Sequence, residues 1–130
     1  MYKQLLYKQP IMNTSIPRIS RDELLAQIND PQPGFRLVEA LPAQYYAEAH
    51  IPGALNMPLD DIDVLAPQLL PDKEAPVVTY CASGPCENSA LAADHLIRLG
   101  YRNVREYYEG KKDWIEAGLP VEREAAPLTR

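Results

Sequence analysis

Apolar positions fall in short blocks along the chain, and most blocks end at a proline or a glycine. Leu24, Leu25 and Ile28 make one stripe at helical spacing. They follow Ser20-Arg21-Asp22-Glu23, a capping box in which the serine and the glutamate satisfy two free amide donors. Asn29-Asp30-Pro31-Gln32-Pro33-Gly34 is a loop by composition, and residues 35–39 read as a strand. Pro42 opens a short helix through Tyr46 and Ala47, because a first-turn proline loses no hydrogen bond. A turn at 50–54 leads into a short strand, 54–56, and residues 60–65 predict another short helix. Residues 69–76 are a connection, and 77–80 predict an apolar strand. The helix predicted over 89–99 turns Leu91, Ala92, His95, Leu96 and Leu99 inward and stops at Gly100. A strand over 104–108 and a helix over 111–117, ended by Gly118, complete the pattern. Strands alternating with helices predict a parallel sheet covered on both faces. The fold class is α/β.

Composition narrows the picture. The 130 residues suit one domain, with no internal repeat. Thirteen prolines, about twice the usual share, are expected between elements rather than inside them. Thirteen Lys and Arg stand against eighteen Asp and Glu, and the net charge of −5 argues against a nucleic-acid partner. No apolar run approaches the ~20 residues that span a membrane, so no membrane partner is expected. The apolar stretch near Met1 is far shorter than the ~7–15 residues of a signal peptide. The expected location is cytoplasmic. Residues 1–15 read as an arm, 16–122 as the domain and 123–130 as a tail.

Ligands of parallel sheets sit beyond the carboxyl ends of the strands, and Cys81 follows the 77–80 strand directly. Ala82-Ser83-Gly84-Pro85-Cys86-Glu87-Asn88 come next, and a helix begins near Ser89. A loop feeding a helix start points amide donors toward an anion, here a thiolate. Lowering a thiol pKa by ~2 units from ~8.5 needs ~2.7 kcal/mol, which helix ends and nearby donors supply. The residues alone leave two readings of Cys81, an activated nucleophile or a buried structural thiol.

Several segments carry a resemblance: Leu37-Val38-Glu39-Ala40, the run from Tyr46 through His50-Ile51-Pro52-Gly53-Ala54 to Leu59, and Val78-Thr79-Tyr80-Cys81. Leu99-Gly100-Tyr101-Arg102-Asn103-Val104 and Glu109 through Trp114 to Ala117-Gly118-Leu119-Pro120-Val121 follow in order. Over residues 16–122 the chain resembles the rhodanese (thiosulfate sulfurtransferase-like) family in its single-domain form. The resemblance implies that Cys81 is the catalytic cysteine and carries sulfur as a persulfide. It implies a parallel five-stranded sheet between two helix layers, with no organic cofactor and no metal. The partners expected are a small sulfur-containing substrate, or a protein or low-molecular-weight persulfide donor, and a thiol acceptor.

The chain departs from the family pattern in three places. Glu39-Ala40-Leu41 stands where Asp-Val-Arg is usual, and Gly110-Lys111 replaces Gly-Gly. The common six-residue loop with an arginine five places after the cysteine is longer here, and Cys86 takes that place. This resembles a subgroup whose loop has a second cysteine followed by x-Asn-Ser. No Lys or Arg occurs from Cys81 to His95. The doubly charged thiosulfate then has only backbone donors from Ala82, Ser83, Gly84 and the residues around Pro85 to Asn88. Asn88 or Ser89 is expected to cap the helix. A neutral or protein-borne persulfide is less disfavoured as donor. Related phosphatases grip phosphate with the arginine of C-x5-R; Glu87 in that place argues against phosphatase activity.

Cys86 is either a resolving thiol for Cys81 or a small residue filling the loop. Two cysteines at C-x4-C with two histidines do not match zinc spacing. His50 and His95 are expected to be structural, and Trp114 with Ile115 to be core. Glu39 either orients loop amides or a nearby histidine, or is a solvated strand end. Tyr107 and Tyr108 are expected on opposite sides of the sheet edge. Besides the sulfurtransferase, two functions stay open: a non-catalytic binding or regulatory module, and a thiol–disulfide redox protein using Cys81 and Cys86.

Overall fold

The computed structural model describes residues 16–124, so the expected arm (1–15) and most of the expected tail lie outside the described residues. The elements run α1 (Arg21–Asn29), β1 (Arg36–Glu39), α2 (Ala43–Glu48), β2 (Leu55–Asn56), a 3-10 turn (Leu59–Asp61), and α3 (Ile62–Leu69). Then come β3 (Val77–Tyr80), α4 (Asn88–Arg98), β4 (Val104–Glu106) and α5 (Gly110–Glu116). The capping box at Ser20 forms as the sequence predicts, with Ser20 and Glu23 bonding each other's backbone.

The strands form one parallel sheet in the order β2-β1-β3-β4, which puts β1 and β3 at its centre. Four strands stand where the resemblance implied five. The segment before α1 does reach the far side of β4, through one bridge between Arg18 and Glu106. Ile19 donates to the Glu106 carbonyl at 3.0 Å, and the Glu106 amide donates to the Pro17 carbonyl at 2.8 Å. Pro17 has no N–H to extend the ladder, and Ser20 already caps α1. Two residues of freedom between them do not make a strand.

Successive strand residues point to opposite faces, and each face has its own core. Val38, Val77 and Val104 pack with Ile62, Ala66, Ala92 and Leu96 under α3 and α4. Leu37, Val78 and Tyr80 pack with Leu24, Ile51, Tyr107 and Trp114 under α1 and α5. Fully burying each Val, Leu or Ile among them is worth ~1.5–3 kcal/mol. One proline breaks the expected rule: Pro67 lies inside α3. It sits on the exposed side, and the ~3 kcal/mol it costs a helix is offset by the buried Ile62, Ala66 and Leu70 on the opposite side.

Trp114 is core, with its ring edge against Tyr107 and its Nε1 donating to the Pro120 carbonyl. Ile115 is not core; it is 47% exposed, one helix position away on the outer side. Tyr107 and Tyr108 do alternate. Tyr107 is buried and donates to Asp113 at 2.6 Å, whereas Tyr108 is exposed under the Arg18 guanidinium. That bond from Tyr107, with Arg21 beside it, holds the Asp113 carboxyl below its usual range. Arg123 and Glu124, at the start of the expected tail, bond the carbonyls of Glu48 and Ala47 in α2. Among the described residues, no helix is long and apolar enough to cross a membrane.

Candidate active site around Cys81

Cys81 lies one residue beyond β3, at the carboxyl end of a central strand, and is 1% exposed. The chain then rises to the surface at Ala82, Pro85 and Glu87 and turns back into α4. Within this loop the Cys86 amide donates to the Ser83 carbonyl at 3.0 Å, so that donor closes a turn rather than facing an anion. Cys81 and Cys86 are joined as a disulfide, with their Cα atoms 6.5 Å apart.

The start of α5 holds the loop in place. The first N–H groups of a helix have no partner within it, and here the Lys111 and Lys112 amides donate to the carbonyls of Cys81 (2.9 Å) and Ala82 (2.8 Å). Gly110 permits this approach. Its φ is +78°, and a Cβ there would sit 2.8 Å from the Ser83 nitrogen. A side chain at that position would meet backbone, which does not yield.

Glu39 is fully buried at the end of β1, which removes the solvated reading. Its carboxylate takes the Lys111 ammonium at 3.0 Å and the Tyr80 hydroxyl at 2.6 Å. Lys111 also donates to the carbonyls of Tyr45 and Ala49. Burial and the Glu39 charge push the Tyr80 hydroxyl far above its ordinary range, so it stays a donor. Glu39 therefore acts on the loop through Lys111 and α5, with no bond to loop amides among those the described residues make.

Asn88 and Ser89 do not cap α4. Glu87 holds the cap position without a side-chain bond. Asn88 instead donates to the Ala40 carbonyl at 3.0 Å, tying α4 to the end of β1. Ser89 is buried, with its Oγ 3.4 Å from the Cys81 sulfur and donating to Glu106 at 2.7 Å. The histidines have structural partners: His50 stacks on Tyr46, and His95 bonds Asp63 at 2.7 Å. Among the described residues, no cluster of three or more His, Cys, Asp or Glu side chains could hold a metal ion.

Beside the loop a cleft of about 630 Å³ opens between α2 and α5, with Ala82 and Asn88 in its lining. Leu41, Tyr45 and Ile115 give it apolar walls, and Lys111 and Arg123 face it. The sequence reading missed Lys111, Glu106 and this cleft. Glu106 had a signal: it stands two residues after Val104 in a short strand, and so shares that residue's buried face.

The chain belongs to the rhodanese-like domain family, whose profile matches residues 20–117. It is 34% identical over 110 residues to the HTH-type transcriptional regulator Rv0324 of Mycobacterium tuberculosis, covering 85% of this chain and 46% of that protein. It is 37% identical over 73 residues to the thiosulfate sulfurtransferase PspE of Escherichia coli, covering 56% of this chain and 66% of that one. The chain thus spans 46 to 66% of the length of these relatives. Among solved structures, the BH2092 protein from Bacillus halodurans superposes with a TM-score of 0.76 at 28% identity, covering 82% of this chain and 77% of that one.

Proposed function

We propose that the chain is a sulfurtransferase that carries sulfane sulfur as a persulfide on Cys81. The observation behind this reading is the position of Cys81, buried at the carboxyl end of β3 and at the foot of the loop that starts α4. In the reduced protein, the Cys81 thiolate attacks the outer sulfur of a donor R–S–SH. The donor's S–S bond breaks, R–S⁻ leaves with the electron pair, and Cys81–S–SH remains. An acceptor thiolate reverses these steps to collect the sulfur. The reading takes the chain to be cytoplasmic, where the thiol pool would return a Cys81–Cys86 disulfide to the dithiol.

The cleft favours an organic persulfide over thiosulfate as donor. Its volume, about 630 Å³, is that of a site for a ligand much larger than a small inorganic ion. Lys111 is already engaged by Glu39 and two carbonyls. Glu87 sits exposed on the loop itself and repels a dianion.

After reduction and incubation with a persulfide donor, the intact mass is expected to rise by about 32 Da, one sulfur atom. Cys81→Ser should abolish the gain, and cyanide should remove it. An adduct confined to Cys86 would reassign the nucleophile. No adduct with any donor, in the wild-type protein or in Cys86→Ser, would favour a binding module, the reading supported by the likeness to the regulator Rv0324. The disulfide supports a redox reading as well, because thiol–disulfide exchange needs both sulfurs within reach.

Charge on the loop sets a second expected result. Glu87→Arg should lower the KM for thiosulfate roughly two- to fivefold, the worth of one exposed charge pair. A KM that stays the same or rises would assign the affinity to backbone donors.

A further inference from the structure

We propose that Ser89 and Glu106 form a proton relay that generates the Cys81 thiolate, an inference that rests on Cys81 being the sulfur carrier. Three buried groups stand in line. The Cys81 sulfur is 3.4 Å from Ser89 Oγ, and Ser89 Oγ is 2.7 Å from Glu106 Oε2. Cys81, Ser89 and Glu106 are 1%, 1% and 3% exposed. Both supports are fixed from outside the line. Thr79 Oγ1 donates to the Ser89 carbonyl at 2.9 Å, and the Glu106 backbone is held by Pro17 and Ile19.

Glu106 has no evident structural purpose as a charge. Burying a carboxylate is costly unless a cation pairs with it. Among the described residues, no Lys, Arg or His forms an ion pair with Glu106. An apolar side chain at this strand position would extend the core that Val104 already joins. A carboxylate there makes sense if it takes a proton.

The step balances. Once the Cys81–Cys86 disulfide has been reduced, the Cys81 S–H bond breaks and its proton passes to Ser89 Oγ, while the Ser89 hydroxyl proton passes to Glu106 Oε2. The S–H electron pair stays on sulfur. The three groups carry one negative charge before and after, moved from carboxylate to thiolate without a second buried anion. Glu106 acts through Ser89 and is a positioning residue; Cys81 does the chemistry.

The test measures alkylation of Cys81 by iodoacetamide at neutral pH in reduced, full-length Cys86→Ser protein, followed by intact mass. Adding Glu106→Gln keeps an acceptor for the Ser89 hydroxyl but cannot take the proton. It should slow alkylation about 100-fold, the low end of what lost proton transfer costs. Ser89→Ala should slow it similarly, and Ser89→Thr, which keeps the hydroxyl, should hold the rate within a few fold. A faster rate in Glu106→Gln would overturn the relay, because removing a mere neighbouring anion makes a thiolate easier to form. An unchanged rate would overturn it too, leaving Glu106 to orient Ser89. If Glu106→Gln does not fold, by circular dichroism, the two Ser89 variants decide the matter alone. Sulfur uptake by the Cys86→Ser protein, which has no second thiol to expel the sulfur as sulfide, is scored separately. A 32 Da adduct without these rate changes fails only the relay, and no adduct fails the carrier reading.

Discussion

Replacing Cys86 with serine is expected to lengthen the life of the Cys81 persulfide on the order of 100-fold, the effect of removing a tethered thiol from its partner. On this expectation the Cys86 thiolate of the wild-type protein attacks the Cys81 sulfur of Cys81–S–SH. An S–S bond forms between the two cysteines, and hydrosulfide leaves with the electron pair of the broken persulfide bond. The Cα separation of 6.5 Å lies inside the ~4.4–6.8 Å that a disulfide spans. The loop therefore brings the attacking sulfur close enough without rearrangement of the strand below it. Intact mass against time gives the answer. The loaded wild-type protein should end about 2 Da lighter than the dithiol, the mass of the two thiol hydrogens, with sulfide released. Loaded Cys86→Ser should keep its extra sulfur. Equal lifetimes would make Cys86 a loop filler and remove the redox reading.

Lys111→Met should cost the fold about 3–5 kcal/mol, the usual penalty for leaving one member of a buried ion pair alone. Glu39 is fully buried and Lys111 is 11% exposed, so solvent does little to replace the missing ammonium. The Tyr80 hydroxyl would be the remaining donor to a stranded carboxylate, and the carbonyls of Tyr45 and Ala49 would also lose theirs. Urea unfolding should show the loss as a lower midpoint at an unchanged slope. Lys111→Met with Glu39→Gln should recover most of it, since no charge is then left buried. If the single variant unfolds at the wild-type midpoint, the pair is not what holds α5 to the end of β1.

The fold class was legible because the chain punctuates itself. The β3 strand stands between Pro76 and Cys81, and Gly100 and Gly118 follow the helices they end. The placement of Cys81 was legible for the same reason, as the first residue past an apolar strand and before a helix. What escaped were pairings across the sequence. Lys111 meets Glu39 across 72 positions, because β1 and β4 run the same way and deliver the chain that follows them to the same carboxyl end of the sheet. Asn88 looked like a cap from its neighbours, yet its amide bonds Ala40, 48 positions earlier. The missing fifth strand has a local cause: two signals, Pro17 and the Ser20 cap, lie too close together for a strand between them.

The sheet's two borders also bear on how this chain behaves beside other copies of itself. At one border β2 is two residues long, and at the other a proline-bearing segment meets β4 through one bridge. A long bare strand edge is a template onto which another polypeptide can add its own strand. Neither border of the described sheet offers one, so the protein at high concentration should resist stacking into fibrils through its edges.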